Sequence, residues 1–147
     1  MSLFSLLLPV IHLIGLALAV GAATVKLLLL LKCSKNYEFA TAYIKVSKPI
    51  TGLIILGLIL LTLSGIGWLL LGFPITTRLI VKLVLVAAVW IIGPVIDHAI
   101  EPKFQKLVSS PGEPASLELV KSHKKLLAFE IVATGLFYVI ILMWLLV

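Results

Sequence analysis

Ile11 to Lys32 reads IHLIGLALAVGAATVKLLLLLK. A bilayer crossing needs about 20 apolar residues in a helix, and this run supplies them with a histidine near one end and a lysine near the other. At about 100° per residue, His12, Gly15, Ala19, Ala22 and Lys26 fall on one face. That stripe holds an imidazole, an ammonium and a nearly smooth strip of small side chains between them. Lipid gains nothing from such a face. A neighbouring helix or a flat ligand does, because small residues permit close approach and both polar groups need partners away from hydrocarbon.

Composition extends this reading to the whole chain. Of 147 residues, 62% are hydrophobic and 12% are charged, and the mean hydropathy is +1.27, whereas soluble domains carry about a quarter charged residues. The fold class is therefore all-α, a four-helix transmembrane bundle in a single domain, with helices expected at about residues 3–31, 49–71, 78–100 and 123–146. The net charge of +6 does not point to nucleic acid, because the basic residues flank apolar runs and assemble no aromatic-rich basic surface. The lone Cys33 offers neither a disulfide nor a CxxC site. The first run lacks a charged n-region and passes the length of a signal-peptide core, so it is expected to remain as the first helix.

Lys26, Lys32, Lys35, Lys45 and Lys48 lie in or beside the first connection, and Lys103, Lys106, Lys121, Lys124 and Lys125 in or beside the third, against only Arg78 and Lys82 at the second. By the positive-inside rule the two basic loops are cytoplasmic and both termini are on the outer side of the cell membrane. Residues 36–46 of the first connection are expected to form a short interfacial helix anchored by Tyr37 and Tyr43, with the second helix opening at Pro49. Gly72 and Pro74 mark a tight turn before the third helix. Gly93 and Pro94 should disturb that helix, since proline removes a backbone donor and clashes with the preceding turn. The stretch from Pro102 to Ser122 reads as a loop, and His123 as the start of the last helix.

Depth separates the polar residues into two layers. Helical rise puts His12 about 10 Å below the outer surface, level with Lys82 and with the Tyr138 to Met143 region. Lys26 and Glu130 both fall in the inner half, where an ion pair between the first and fourth helices would spare each the cost of isolation. That pair serves either as a register pin or as a group that handles protons or a ligand. Thr134 and Tyr138 continue the Glu130 face at i+4 spacing, as a polar track or as ordinary bonding between helices. In the outer layer, His12 with Arg78 and Lys82 suits an anion or a cofactor bearing carboxylates, and Met143 is the other soft ligand at that depth. The alternative is a histidine bonded to a neighbouring helix, with both cations reaching for the interface. His98, Glu101 and His123 lie near enough in sequence order for a cytoplasmic metal site, but their spacing matches no metal signature. No nucleophile elbow, phosphate loop, HExxH or triad pattern occurs, so no catalytic residue is assigned and the chain is read as non-catalytic.

Three pieces carry a resemblance: His12 in IHLIGLALAVGAA, the TLSGIGWLL close of the second helix, and Lys82 in RLIVKLVLV. The layout resembles the CopD/HemJ-like group of small four-helix membrane proteins, which includes copper-resistance membrane domains and the HemJ protoporphyrinogen oxidase. The resemblance implies a haem- or copper-linked accessory protein of a redox system, with one haem b or a metal on His12 and Lys82 as its charged neighbour. HemJ-like sequences have a further histidine where this chain has Ile80, and an arginine-containing motif where it has VKLLLLLK, so oxidase activity is not carried over. Two other readings stand beside this one. The chain is a structural subunit packed against other membrane subunits or a second copy, or it is a small transporter or channel in which Glu130, Lys26 and the Pro94 region line a pathway.

Overall fold

The computed structural model describes residues 3–33, 37–109 and 117–145. Among them the chain forms α1 (Leu3–Cys33), α2 (Tyr37–Leu70), α3 (Thr77–Val95), a π-helical turn (Ile96–Ile100), α4 (Glu101–Ser109) and α5 (Leu117–Leu145), with no strand. The π-turn joins α3 to α4 without a break, so the molecule is a bundle of four rods. Each is long and apolar enough to cross a membrane, over Leu6–Cys33, Phe39–Leu70, Thr77–Ser109 and Leu117–Met143. Exposed Leu13, Val84 and Ile91 lie on the outside of the bundle, where a bilayer would meet them.

The small-residue face of α1 is covered by α2. A Cβ built on Gly57 would lie 2.5 Å from the Ala19 amide nitrogen and 2.6 Å from the Gly15 carbonyl oxygen, so the two backbones touch. Between apolar helices in lipid, where burial from water supplies no drive, such contact gives the dispersion energy that holds the pair. The turn out of α2 closes on Gly72 at φ 81°, with its amide donating to Leu69 O at 3.0 Å and the Phe73 amide to Trp68 O at 3.2 Å. This is a Schellman ending, and its usual apolar contact is the edge-on stack of Phe73 against Trp68 at 5.2 Å between centroids. Thr76 then caps α3, accepting from the Leu79 amide at 3.3 Å.

Three expected boundaries are corrected. The segment expected as an interfacial helix is the first part of α2, which runs through Pro49. Proline leaves the Lys45 carbonyl without its helical donor, next to the exposed side chains of Lys45 and Lys48. Tyr43 is consequently no anchor: it is fully buried, edge-on to Phe104 at 6.0 Å between centroids. The third rod does not stop at residue 100. After Pro94 the backbone widens, and the Glu101 amide bonds back five residues to Ile96 O. Pro102 follows directly, at the change from π back to α bonding, and the rod continues through it. The last helix begins by Leu117 rather than at His123, which is buried inside it. The rest of the expected third loop, residues 110–116, lies outside the described residues.

Two buried layers fill the bundle. One joins Leu30, Tyr43, Ile100, Phe104 and Leu126 towards the lysine-rich end, and the other joins Ala19, Ala23, Leu58, Val89 and Phe137 nearer the middle. Gly57→Val should force α1 and α2 apart and lower stability by roughly 1–3 kcal/mol. Gly52→Ala, whose Cβ meets nothing within 4 Å, should not. Thermal unfolding of the two variants in detergent checks this, and equal midpoints would contradict the backbone contact.

Candidate functional site

Polar groups from all four rods meet between the two buried layers. Lys26 Nζ lies 2.8 Å from Glu101 Oε2, 2.9 Å from Glu130 Oε1 and 3.6 Å from Asp97 Oδ1. It also donates to Thr51 Oγ1 at 3.0 Å. The Thr51 hydroxyl in turn donates a hydrogen bond to Asp97 Oδ1 at 3.4 Å. Gln105 Nε2 reaches Glu101 Oε1 at 3.2 Å and Ser47 Oγ at 3.4 Å, extending the network towards the lysine-rich end. Lys26, Glu101 and Glu130 are each at most 4% exposed, whereas the Asp97 side chain is 22% exposed.

The π-turn is what places two carboxyls here. Asp97 lies within it and Glu101 follows directly, so the rod presents both acids to α1. Glu130 comes from α5, and Thr51 sits two residues past the proline of α2. With every carboxyl ionised the cluster would carry one positive and three negative charges. In a low-dielectric interior that excess calls for a bound proton or a second cation. Glu130 Oε1 has the Lys26 ammonium, at 2.9 Å, as its partner.

The cluster closes one end of a cavity of about 140 Å³ that runs between α2 and α3. Lys26, Thr51, Asp97, His98 and Glu130 line that end, and Leu58, Val89, Trp90 and Phe137 line the other. Such a volume holds several waters or one small molecule.

The other candidate residues are distributed differently. His12 Nδ1 lies 2.8 Å from Ser64 Oγ, whose proton goes to Leu60 O at 2.8 Å. The serine therefore accepts from Nδ1–H, and the ring is held in the α1–α2 seam. Lys26 is about 21 Å further along α1 by helical rise. Arg78 is exposed in the first turn of α3, Lys82 is half-buried one turn on, and Met143 is half-buried near the end of α5. None of these four lines the cavity. On the Glu130 face, Thr134 Oγ1 is buried without a hydrogen-bond partner among the described residues, while Tyr138 OH pairs with Thr24 Oγ1 at 2.9 Å on an exposed surface. His98 Nδ1 contacts Pro94 O at 3.1 Å, and His123 Nε2 contacts Leu30 O at 2.9 Å. With Glu101 on Lys26, these residues do not assemble into a metal site, and no cluster of three or more metal-ligating side chains occurs among the described residues.

Asp97, Glu101 and Thr51 stand beside Pro102 and Pro49 in the sequence, where a helix end is expected. A usable signal was present: Ile96, Ile100, Phe104 and Val108 repeat every fourth residue straight through Pro102, and all four are buried.

The class defined by fold and site is a multi-pass helical membrane protein with a charged cluster inside its bundle. No family model, characterised protein or solved structure matches the chain.

Lys26→Met should destabilise the bundle by roughly 3–5 kcal/mol, because three carboxyls would lose their only ammonium. Glu130→Gln should cost less, since Glu101 and Asp97 still face the lysine. Unfolding of the two variants in detergent checks the order, and a smaller loss for Lys26→Met would contradict it.

Proposed function

We propose that this chain is a small membrane transporter whose working part is a proton-exchanging site built from Lys26, Asp97, Glu101 and Glu130, with the lysine-rich helix ends in the cytoplasm. The observation that carries the reading is the imbalance of the buried cluster: three carboxyls within 4 Å of one ammonium, at the end of a cavity. A register pin needs one acid for one base. Additional acids raise the cost of burial unless they bind something, and the smallest thing they bind is a proton.

The surroundings suit exchange rather than permanent closure. Towards the lysine-rich end the cluster is sealed by Leu30, Tyr43, Phe104 and Leu126, which leaves the cavity side as the approach. Asp97 is the most exposed carboxyl of the three and the farthest from Lys26, so it is the natural point of entry. Ionisable residues inside a membrane bundle are characteristic of proton relays and coupled transport. A haem b on His12 stays outside this reading, since Ser64 holds the ring and α2 covers the small-residue face beside it.

Infrared difference spectra between acid and alkaline buffer, with the chain in nanodiscs, test the proposal. A carbonyl band from a buried protonated carboxyl should appear on acidification and be altered in both Glu130→Gln and Asp97→Asn, while Glu118→Gln, on the exposed first turn of α5, leaves it unchanged. A cluster that only pins register keeps one protonation state throughout, and a spectrum without that band change would sink the reading.

A further inference from the structure

Resting on that reading, we infer that the cavity between α2 and α3 binds a small organic cation, an ammonium on an apolar body. It enters sideways from the bilayer and competes with the proton for the Asp97 and Glu130 carboxyls.

The two ends of the cavity differ in chemistry, and a single ligand that suits both is an amphiphile. Its head meets Lys26, Thr51, Asp97 and Glu130, and its body lies against Leu58 and Val89. The sign of the head follows from charge. An anion would approach three carboxyls offset by one ammonium, whereas a cation is attracted by the excess. Two aromatic side chains, Trp90 and Phe137, stand in the same wall, and aromatic faces favour an ammonium as acyl chains do not. Asp97 is the acceptor with room for it: its side chain is 22% exposed and stands 3.6 Å from Lys26, with a 3.4 Å bond from Thr51, whereas Glu130 Oε1 lies 2.9 Å from the ammonium that the cation would have to share.

The route is equally local. Two hydrogen bonds bridge α2 to the third rod at the ends of the cavity, Thr51 to Asp97 at 3.4 Å and Trp90 Nε1 to Thr62 Oγ1 at 3.1 Å. Among the described residues, α2 and α3 bring no pair of Cα atoms within 8 Å. Thr51 to Thr62 spans about 16 Å of helix within an apolar run, so the gap faces acyl chains rather than water. A volume of about 140 Å³ sets the size at one ring with a short aminomethyl arm.

Calorimetry with the full chain in nanodiscs, with empty discs subtracted, tests this using benzylammonium against benzyl alcohol, its neutral counterpart of similar size. Benzylammonium should bind at least about tenfold tighter. Its heat should vary with the ionisation enthalpy of the buffer, showing proton release, and its affinity should rise with pH over the acid-to-neutral range. Asp97→Asn should remove the preference for the cation, and Ala133→Leu, which fills the wall, should weaken both ligands. The pH series on the unaltered chain decides the matter even if a variant fails to fold. Equal affinity for the two compounds, or cation binding that releases no proton and ignores pH, would overturn the inference. A carboxyl band that titrates without any cation preference leaves the proton site standing and removes only its proposed substrate. A band that does not titrate removes both.

Discussion

The ammonium of Lys26 is the point on which the arrangement of the helices depends. In hydrocarbon a lone ammonium costs several kcal/mol, and α1 alone offers nothing to offset it. The offset comes from every other rod: a hydroxyl from α2, two carboxyls from the π-turn and α4, and one carboxyl from α5. Sliding any rod by one residue moves its group by about 1.5 Å, enough to lose a 2.8 Å contact. Register throughout the bundle is therefore set at one level, and the apolar layers on either side pack in the positions which that level allows.

The remaining interactions divide the bundle unevenly. The α1–α2 pair is closed by backbone contact at Gly15 and Gly57, and further along by Gly67 against Leu8. Between α2 and α3 no such contact occurs among the described residues; hydrogen bonds at the two ends of the cavity join α2 to the π-turn and to α3. Small residues explain the difference. The facing stretches of α1 and α2 carry glycine and alanine where the helices cross, whereas α3 lines the cavity with the larger Val89 and Trp90 beside Gly93. The polar cluster at its end keeps the cavity from being purely apolar.

Much of this was legible in the sequence, and the parts that were not have identifiable causes. The four apolar runs read directly, and comparison of depths brought Lys26 to the level of Glu130. Asp97 and Glu101 were visible as residues but not as partners, because Pro102 reads as a helix stop. The helix passes through it because the backbone has widened after Pro94. The four-residue repeat from Ile96 to Val108 marks that continuation in the sequence, but not the wider hydrogen bonding that allows it. Thr51 was obscured in the same way by Pro49, next to which it reads as a helix start. The small-residue face of α1 suited a helix or a flat ligand equally well from composition. Only the position of α2 distinguishes them, and that is a tertiary fact.

The coincidence of the irregular backbone with the acidic side chains has a further consequence. Two of the three carboxyls lie on the five-residue turn and its immediate sequel, where the hydrogen-bond ladder passes from α to π and back. Lys26 and Thr51 lie instead on the pair of helices held by backbone contact. The cluster therefore joins a base and a hydroxyl on the helices in backbone contact to two acids on and beside the irregular turn and a third on α5. Wide turns are frequent where helices carry function, because they reposition side chains without breaking the rod. Here the turn puts Asp97 at the cavity and Glu101 behind it, one partly exposed and the other buried. A change of charge at Asp97 therefore acts on the irregular turn itself, while Lys26 stands on the helix pair in backbone contact.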